Sequence, residues 1–508
     1  MRWSAVIAMA LLSGCGFRLP PYEPFDPPAN PADHDARVLI DSYLCWVWSA
    51  YPVEATAAGL HDYDHTFGPR SVREANTRVE TLRYYQAAFE QASAGAVSSQ
   101  AALDLHAARL DLNLRLWRRD SPGPLALGIW ALLYSPNVAD DIRARCLAAR
   151  LSELPALDGV GAEGAELRAA TESARVFFAQ LADSDLRQIG QAAVERVEKS
   201  LGASVTVQPV APFGEQRLAE LVSILLFGEP SGEAGIASLT VHAGRWMREN
   251  RAQLERIAPD PVAFVRSLSL PAERSDVIDA IEEARNAAAD FTTIPKANLR
   301  VHEAAPGVAA RLIGPELFSP DPSTATYLVR RVHASRGYVD ALLELYPGRL
   351  TQALQSSESP ARRLAKNPAI VEGIPLYLLR RMTAGNPRSA AAILWRIEEA
   401  RALCRLVAAL GYHIGRLGFD RVVVLFETEG FMPRDEAELE AMRVAREPEV
   451  LGAALGARAL HILQGEGSSC RWDGIAAMRG FAIRKLWHIL SKKAPPADLF
   501  AGTAVHNY

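Results

Sequence analysis

Residues 72–92 read VREANTRVETLRYYQAAFEQA, and this stretch decides the fold. Val72, Ala75, Val79, Leu82, Tyr85 and Phe89 recur at intervals of three and four, a spacing that gathers apolar side chains on one face of an α-helix. The same spacing returns at 99–117, 165–181, 185–199 and 277–291. Clusters such as Ser121-Pro122-Gly123-Pro124 and Pro230-Ser231-Gly232 separate the periodic segments and stop helices. Strand signals are few. Residues 203–210 and 422–426 are β-branched and apolar, the second equally readable as a helix interior, and 299–301 with Leu312 suggest a short hairpin. The expectation is a mainly α protein, a large helical body around a cleft with at most a small β hairpin or sheet.

Composition agrees. Of 508 residues, 49% are hydrophobic and 22% charged, with a formal net charge of −4, a globular balance without the basic footprint of a nucleic-acid binder. Residues 36–508 read as a single large helical domain, longer than the ~100–200 residues usual for one. Cys45, Cys146, Cys404 and Cys470 lack CxxC spacing, so a structural zinc site of cysteines is not expected, while disulfides and buried thiols both stay open. Gly159, Gly161 and Gly164 have GxGxxG spacing, but no strand signal precedes them; a dinucleotide site needs that strand, so the segment reads as a connection between helices. The chain has neither a GxSxG elbow nor a Walker loop, which removes two recognisable routes to hydrolase and nucleotide chemistry.

The amino terminus carries its own signal. Arg2, an apolar run over 3–12 and then Leu12-Ser13-Gly14-Cys15 follow the order of a bacterial lipoprotein leader, with 1–14 as signal peptide and Cys15 as the lipid-bearing residue. The run is too short to span a bilayer, and stable anchoring takes more than one acyl chain. Gly16 follows the cysteine where an aspartate would mark inner-membrane retention, which by resemblance to bacterial sorting patterns implies an outer-membrane address, periplasmic or surface-exposed. Prolines at 20, 21, 24, 27, 28 and 31 make residues 15–35 a semi-rigid tether, reaching roughly 40–50 Å from the lipid.

The chemistry concentrates in two blocks, LLELYPGRLTQ at 342–352 and VEGIPLYL at 371–378. They resemble the signature blocks of the bacterial family called domain of unknown function 885, whose intact members resemble zinc metallopeptidases and typically read His-Glu-x-x-Pro-Gly-His-His-x-Gln and Glu-Gly-Trp-x-x-Tyr. Glu344, Pro347, Gly348 and Gln352 match the first block; Glu372, Gly373 and Tyr377 match the second. Thinner similarity covers nearly all of the remaining chain, at Tyr51-Pro52, Ala55-Thr56 and Gly59-Leu60-His61, at 401–413 ending in His413, and at Trp487-His488. The resemblance implies a metallopeptidase-like helical fold, zinc in intact members, Glu344 as general base and Glu372 as a ligand.

The departures weigh more than the matches. Leu343 stands at the first histidine, and Arg349 and Leu350 stand at the histidine pair. Leucine has no lone pair, and a guanidinium is a fixed cation that repels Zn²⁺, whereas a catalytic zinc needs three protein ligands and one open position. Ala409 replaces an aspartate, and of two later elements only Arg443 and Pro448 remain. Arg349, lying where an ion would lie, would pair with Glu344 or Glu372 and satisfy their charge. His302 to Gly307 reads HEAAPG, but Val308 and Ala309 follow in place of the histidine pair. Each matched residue also has a plain structural reading: Pro347-Gly348 as a helix stop and turn, Tyr346 and Tyr377 as core aromatics.

The resulting expectation is a zinc-free, cofactor-free, non-catalytic relative, tethered by lipid and working as a binding or scaffolding lipoprotein, with a peptide or protein partner in its cleft. The rival is an active metal-dependent peptidase whose ligands come from His302, His413, His461 or His488 joined to Glu344 and Glu372. A third reading is a purely structural envelope component.

Overall fold

The first helix, α1, begins at Pro31 and runs to Ala50. Residues 31–35, read above as the end of an extended tether, therefore form its opening turn. Proline suits that place, because its fixed φ is already helical and its missing N–H would have no partner there. The computed structural model describes residues 31–68, 71–95, 97–118, 125–156, 164–202, 210–230, 235–268, 273–304, 310–319, 322–330, 332–355, 359–465 and 479–491. The leader at 1–14, Cys15, the tether before Pro31, Gly159, Gly161, all but Val210 of the strand expected at 203–210, and Cys470 lie outside them.

Helices α1, α2 (Pro52–Ala57), α3 (Val72–Ser93) and α4 (Ser99–Arg118) enclose a core of Leu39, Tyr43, Trp48, Leu82, Phe89 and Leu112. The start of α3 is fixed by a capping box, in which the Ser71 side chain accepts from the Glu74 amide and the Glu74 carboxylate accepts from the Ser71 amide; each orphan donor is satisfied reciprocally. A second core, of Trp130, Leu147, Phe178 and Val194, lies among α5 (Leu125–Leu133), α6 (Asp140–Glu153), α7 (Gly164–Gln180) and α8 (Ser184–Gly202). Gly164 opens α7, and the residues described before it, Leu154–Ala156, form a 3-10 turn rather than a strand.

The rest of the chain builds the main core. Its elements are α9 (Glu215–Phe227), α10 (Ile236–Ile257), α11 (Pro261–Leu268), α12 (Arg274–Ala289), α13 (Ala334–Glu344), α14 (Arg349–Leu354), α15 (Pro360–Leu364), α16 (Pro368–Val371), α17 (Gly373–Thr383), α18 (Ala390–His413), α19 (Phe419–Thr428), α20 (Arg434–Arg446), α21 (Gly452–Gly465) and α22 (Ile483–Ser491). Residues 422–426 lie inside α19, so their apolar run is helical. No helix among the described residues is long and apolar enough to cross a membrane.

The sheet departs from the expected hairpin. Strands β1 (Asn298–Glu303) and β2 (Arg311–Ile313) do not pair with each other; both pair with β3 (Thr324–Val329), β1 in parallel and β2 antiparallel, in the order β1-β3-β2. Every residue of β3 is buried. Successive side chains of a strand point to opposite faces, and here Ala325, Tyr327 and Val329 enter the main core while Leu328 enters the second core beside Ile313. The central strand is thus the wall between two helical layers, and β2 is left as an edge.

Candidate functional site

Glu344 is the last residue of α13, after which the chain reverses sharply. The amides of Leu345 and Tyr346 donate back to Ala341 O at 2.8 and 3.0 Å, Pro347 follows a cis peptide bond, and Gly348 precedes Arg349 at the start of α14. Gly348 is required by closeness: a Cβ there would lie 1.9 Å from Leu343 O, inside any permissible contact. This turn aims the Arg349 side chain back at the end of α13.

Glu372 sits at the joint between α16 and α17. The next residue, Gly373, lies against α21 so closely that a Cβ would stand 2.7 Å from Gly456 and Ala457 backbone atoms, and a Cβ on Gly456 would stand 1.5 Å from Ala369 O. Backbone touches backbone at this crossing, which fixes the position of Glu372.

The two blocks meet through Arg349. Its Nη1 lies 2.9 Å from Glu344 Oε1 and its Nη2 lies 2.5 Å from Glu372 Oε2, so one guanidinium spans both carboxylates. The planar fork with fixed donors makes that geometry available to arginine and not to lysine. The Leu312 amide, on the free side of edge strand β2, donates to Glu344 Oε2 at 3.1 Å, and Gln352 Nε2 donates to Val371 O at 3.1 Å, tying α14 to the second block. The bridge is partly covered: the side chains of Arg349, Glu344 and Glu372 are 33%, 13% and 32% exposed.

The two carboxylates feel different fields. Burial pushes the Glu344 carboxyl above the ordinary range, with Glu372 adding to the push and Arg349 opposing it. Burial would also raise Glu372, but Arg349, Arg443 and Arg405 together hold it below its ordinary value. Arg405 and Arg443 in turn share Glu440, at 2.7 and 3.7 Å.

Zinc does not fit this donor set. At the positions where the resemblance implies histidines, Leu343 is half-buried against the main core and Leu350 is fully buried in it, neither offering a lone pair, and Arg349 brings a fixed positive charge. The remaining carboxylate, Glu372, is already bonded by a guanidinium, with two further arginines adding positive potential; a second cation there meets repulsion at close range. Among the described residues, no group of three or more His, Cys, Asp and Glu side chains is placed to hold a metal ion.

The other candidate residues go elsewhere. His413 closes α18, with its ring stacked on Phe213 at 4.6 Å. The Phe213 amide donates to its Nδ1 at 3.4 Å and its Nε2 lies 3.0 Å from Val444 O, so the ring is a neutral imidazole with both nitrogens committed to backbone. Burial lowers its pKa further. It ties three segments together and has no lone pair left for a metal. His302 is exposed on β1 with its ring 5.4 Å from that of Tyr134. His488 is exposed on α22. His461 and Tyr377 both line a cleft between α10, α17, α18 and α21. Cys404 is a buried thiol 3.8 Å from Leu425 O.

Two participants escaped the sequence reading. The Leu312 amide carries no side-chain signal at all. Arg405 does: Arg401 and Arg405, four residues apart inside the apolar run of α18, demand carboxylate partners if the helix is buried.

No protein-family model matches the chain, and no curated protein matches it. Solved structures do resemble it. A lipoprotein from Colwellia psychrerythraea aligns over 91% of this chain and 100% of its own at 14% identity, with a TM-score of 0.69. A lipoprotein of unknown function from Shewanella oneidensis aligns over 89% of this chain and 99% of its own at 16% identity, with a TM-score of 0.61. Both carry the description "putative". At these identities the likeness establishes a shared helical fold. A carboxypeptidase from Deinococcus radiodurans aligns over 92% of this chain at 10% identity, but its TM-score of 0.41 carries no argument.

Proposed function

We propose that the chain is a zinc-free, non-catalytic relative of the domain of unknown function 885 proteins, lipid-anchored at the bacterial envelope through Cys15 and acting there as a binding or scaffolding protein. The observation that carries this reading is the Arg349 guanidinium lying between Glu344 and Glu372. A general base of this type acts on water whose pKa a metal has lowered to about 7. Glu344 instead accepts hydrogen bonds from an arginine and from a backbone amide, and among the described residues no group of three or more His, Cys, Asp and Glu side chains is placed beside it to hold an activating metal. The lipoprotein part rests on the leader and on the two proteins of like fold that carry that description.

Dialysis of the purified chain against zinc, followed by elemental analysis, tests the reading. The expected result is far less than one zinc per chain, with no peptide or ester turnover that a chelator abolishes. One firmly retained zinc per chain, or chelator-sensitive turnover lost in Glu344→Gln, overturns it.

A further inference from the structure

The cleft between α10, α17, α18 and α21 has an empty volume of about 680 Å³, a figure that counts the open solvent at its mouth. Its walls are unlike the retired metal remnant. Trp246 and Trp395 face it with Leu376, Leu403, Ala454 and Ala457, and Arg380, Arg396 and Arg458 stand among them. Three arginines against Glu249 and Glu399 leave the lining one positive charge in excess.

The charges are not equally engaged. Arg396 is held by Glu399 at 2.9 Å and by Asn250 Oδ1 at 3.2 Å, and Glu249 faces Arg245 at 3.6 Å. Arg380 has no carboxylate within ion-pair reach among the described residues; its guanidinium lies 5.7 Å from the Trp395 ring centre. Arg458 lies 5.2 Å from the Trp246 ring centre. Burial and the charges of Arg380 and Arg458 push His461 down to about 4, so at neutral pH it is an uncharged polar group and the positive potential belongs to the arginines.

We infer that this cleft is a binding site for a planar aromatic carboxylate, its ring lying between the tryptophans and its anionic group meeting Arg380 and Arg458. Flat apolar walls take a ring by dispersion and stacking. The Arg380 guanidinium, with no carboxylate in ion-pair reach among the described residues, gains a charge-assisted hydrogen bond when an anion enters, and Arg458 adds positive potential beside it. The inference stands apart from the fate of the metal remnant, because it uses neither Glu344 nor Glu372. The same chemistry is offered by a free aryl acid and by the aromatic carboxyl end of a short peptide.

Calorimetric titration of the full chain with indole-3-acetate, indole-3-acetamide and glycyl-glycyl-tryptophan tests it. One of the two acids is expected to bind at least about tenfold more tightly than the amide, since a hydrogen bond to a charged group is worth roughly that factor; the tighter acid names the source. Arg380→Gln is expected to remove the preference while leaving the unfolding midpoint unchanged, because it orphans no carboxylate. Ala457→Phe, which fills the cleft from its wall, is expected to abolish binding of all three. Absence of binding by both acids, equal binding of acid and amide, or a preference that survives Arg380→Gln overturns the inference.

Discussion

Arg349→Met keeps the aliphatic stem of the side chain and removes the charged guanidinium, leaving Glu344 and Glu372 as facing carboxylates without their shared cation. Breaking a fully buried ion pair costs about 3–5 kcal/mol, and an exposed pair about 0–1 kcal/mol. With Arg349 one-third exposed and two pairs lost at once, the expected destabilisation near neutral pH is about 2–3 kcal/mol. The pH dependence has a definite sign. In the native chain the lowered Glu372 contributes stability present above its unfolded pKa and lost as the pH falls through its folded value. Without Arg349 both folded pKa values move up, so the variant binds more protons folded than unfolded and regains stability on acidification. Urea unfolding followed by tryptophan fluorescence should therefore give a larger penalty at about pH 7.5 than at about pH 5. Adding Glu344→Gln to Arg349→Met should recover part of the loss, because it removes one orphaned charge. A penalty that is absent, or equal at both pH values, refutes the claim that Arg349 holds these carboxylates together.

Further outcomes follow from the same geometry and its surroundings. Leu343→His combined with Arg349→His returns two imidazoles beside Glu372, and elemental analysis should then find about one zinc per chain where the native protein takes up little; failure to gain zinc would argue that these positions never converged on an ion. His61 lies 2.8 Å from Asp64 and 3.6 Å from Glu316, and although burial opposes it, these carboxylates raise its pKa from 6.5 to about 9. Its contribution is fully present below the unfolded value and lost as the pH rises through the folded one, so the advantage of the native chain over His61→Gln should be about 2 kcal/mol near pH 6 and shrink toward pH 9. Gly456→Ala places a methyl 1.5 Å from Ala369 O, and a loss of at least about 3 kcal/mol in chemical denaturation is expected from such overpacking.

The helices were most legible where one face is buried and the other exposed, as in Val72–Ser93 and Gly164–Gln180. Val72–Ser93, Ser99–Arg118 and Gly164–Gln180 announce themselves by a period that survives without tertiary context. Thr324–Val329 is buried on both faces, so it shows no alternation, and its parallel partner Asn298–Glu303 is joined to it through β2 and its flanking segments rather than a tight turn. That is why a local hairpin was expected in its place. In the site, the resemblance of the two blocks to a family's signature, with an arginine standing where that signature has a histidine, pointed to Glu344, Arg349 and Glu372. His413 shows the limit of a motif: its ring is consumed by backbone groups of Phe213 and Val444, 200 and 31 residues away in sequence, and no local pattern announces such partners.

The strand Thr324–Val329 has one more consequence. Its alternate side chains complete two separate interiors, so neither interior is dry unless the other is assembled. Fragments of the chain divided between α8 and α9 should each expose an unfinished apolar face and regain native spectra only when mixed, and the intact protein should melt those two layers in a single cooperative step.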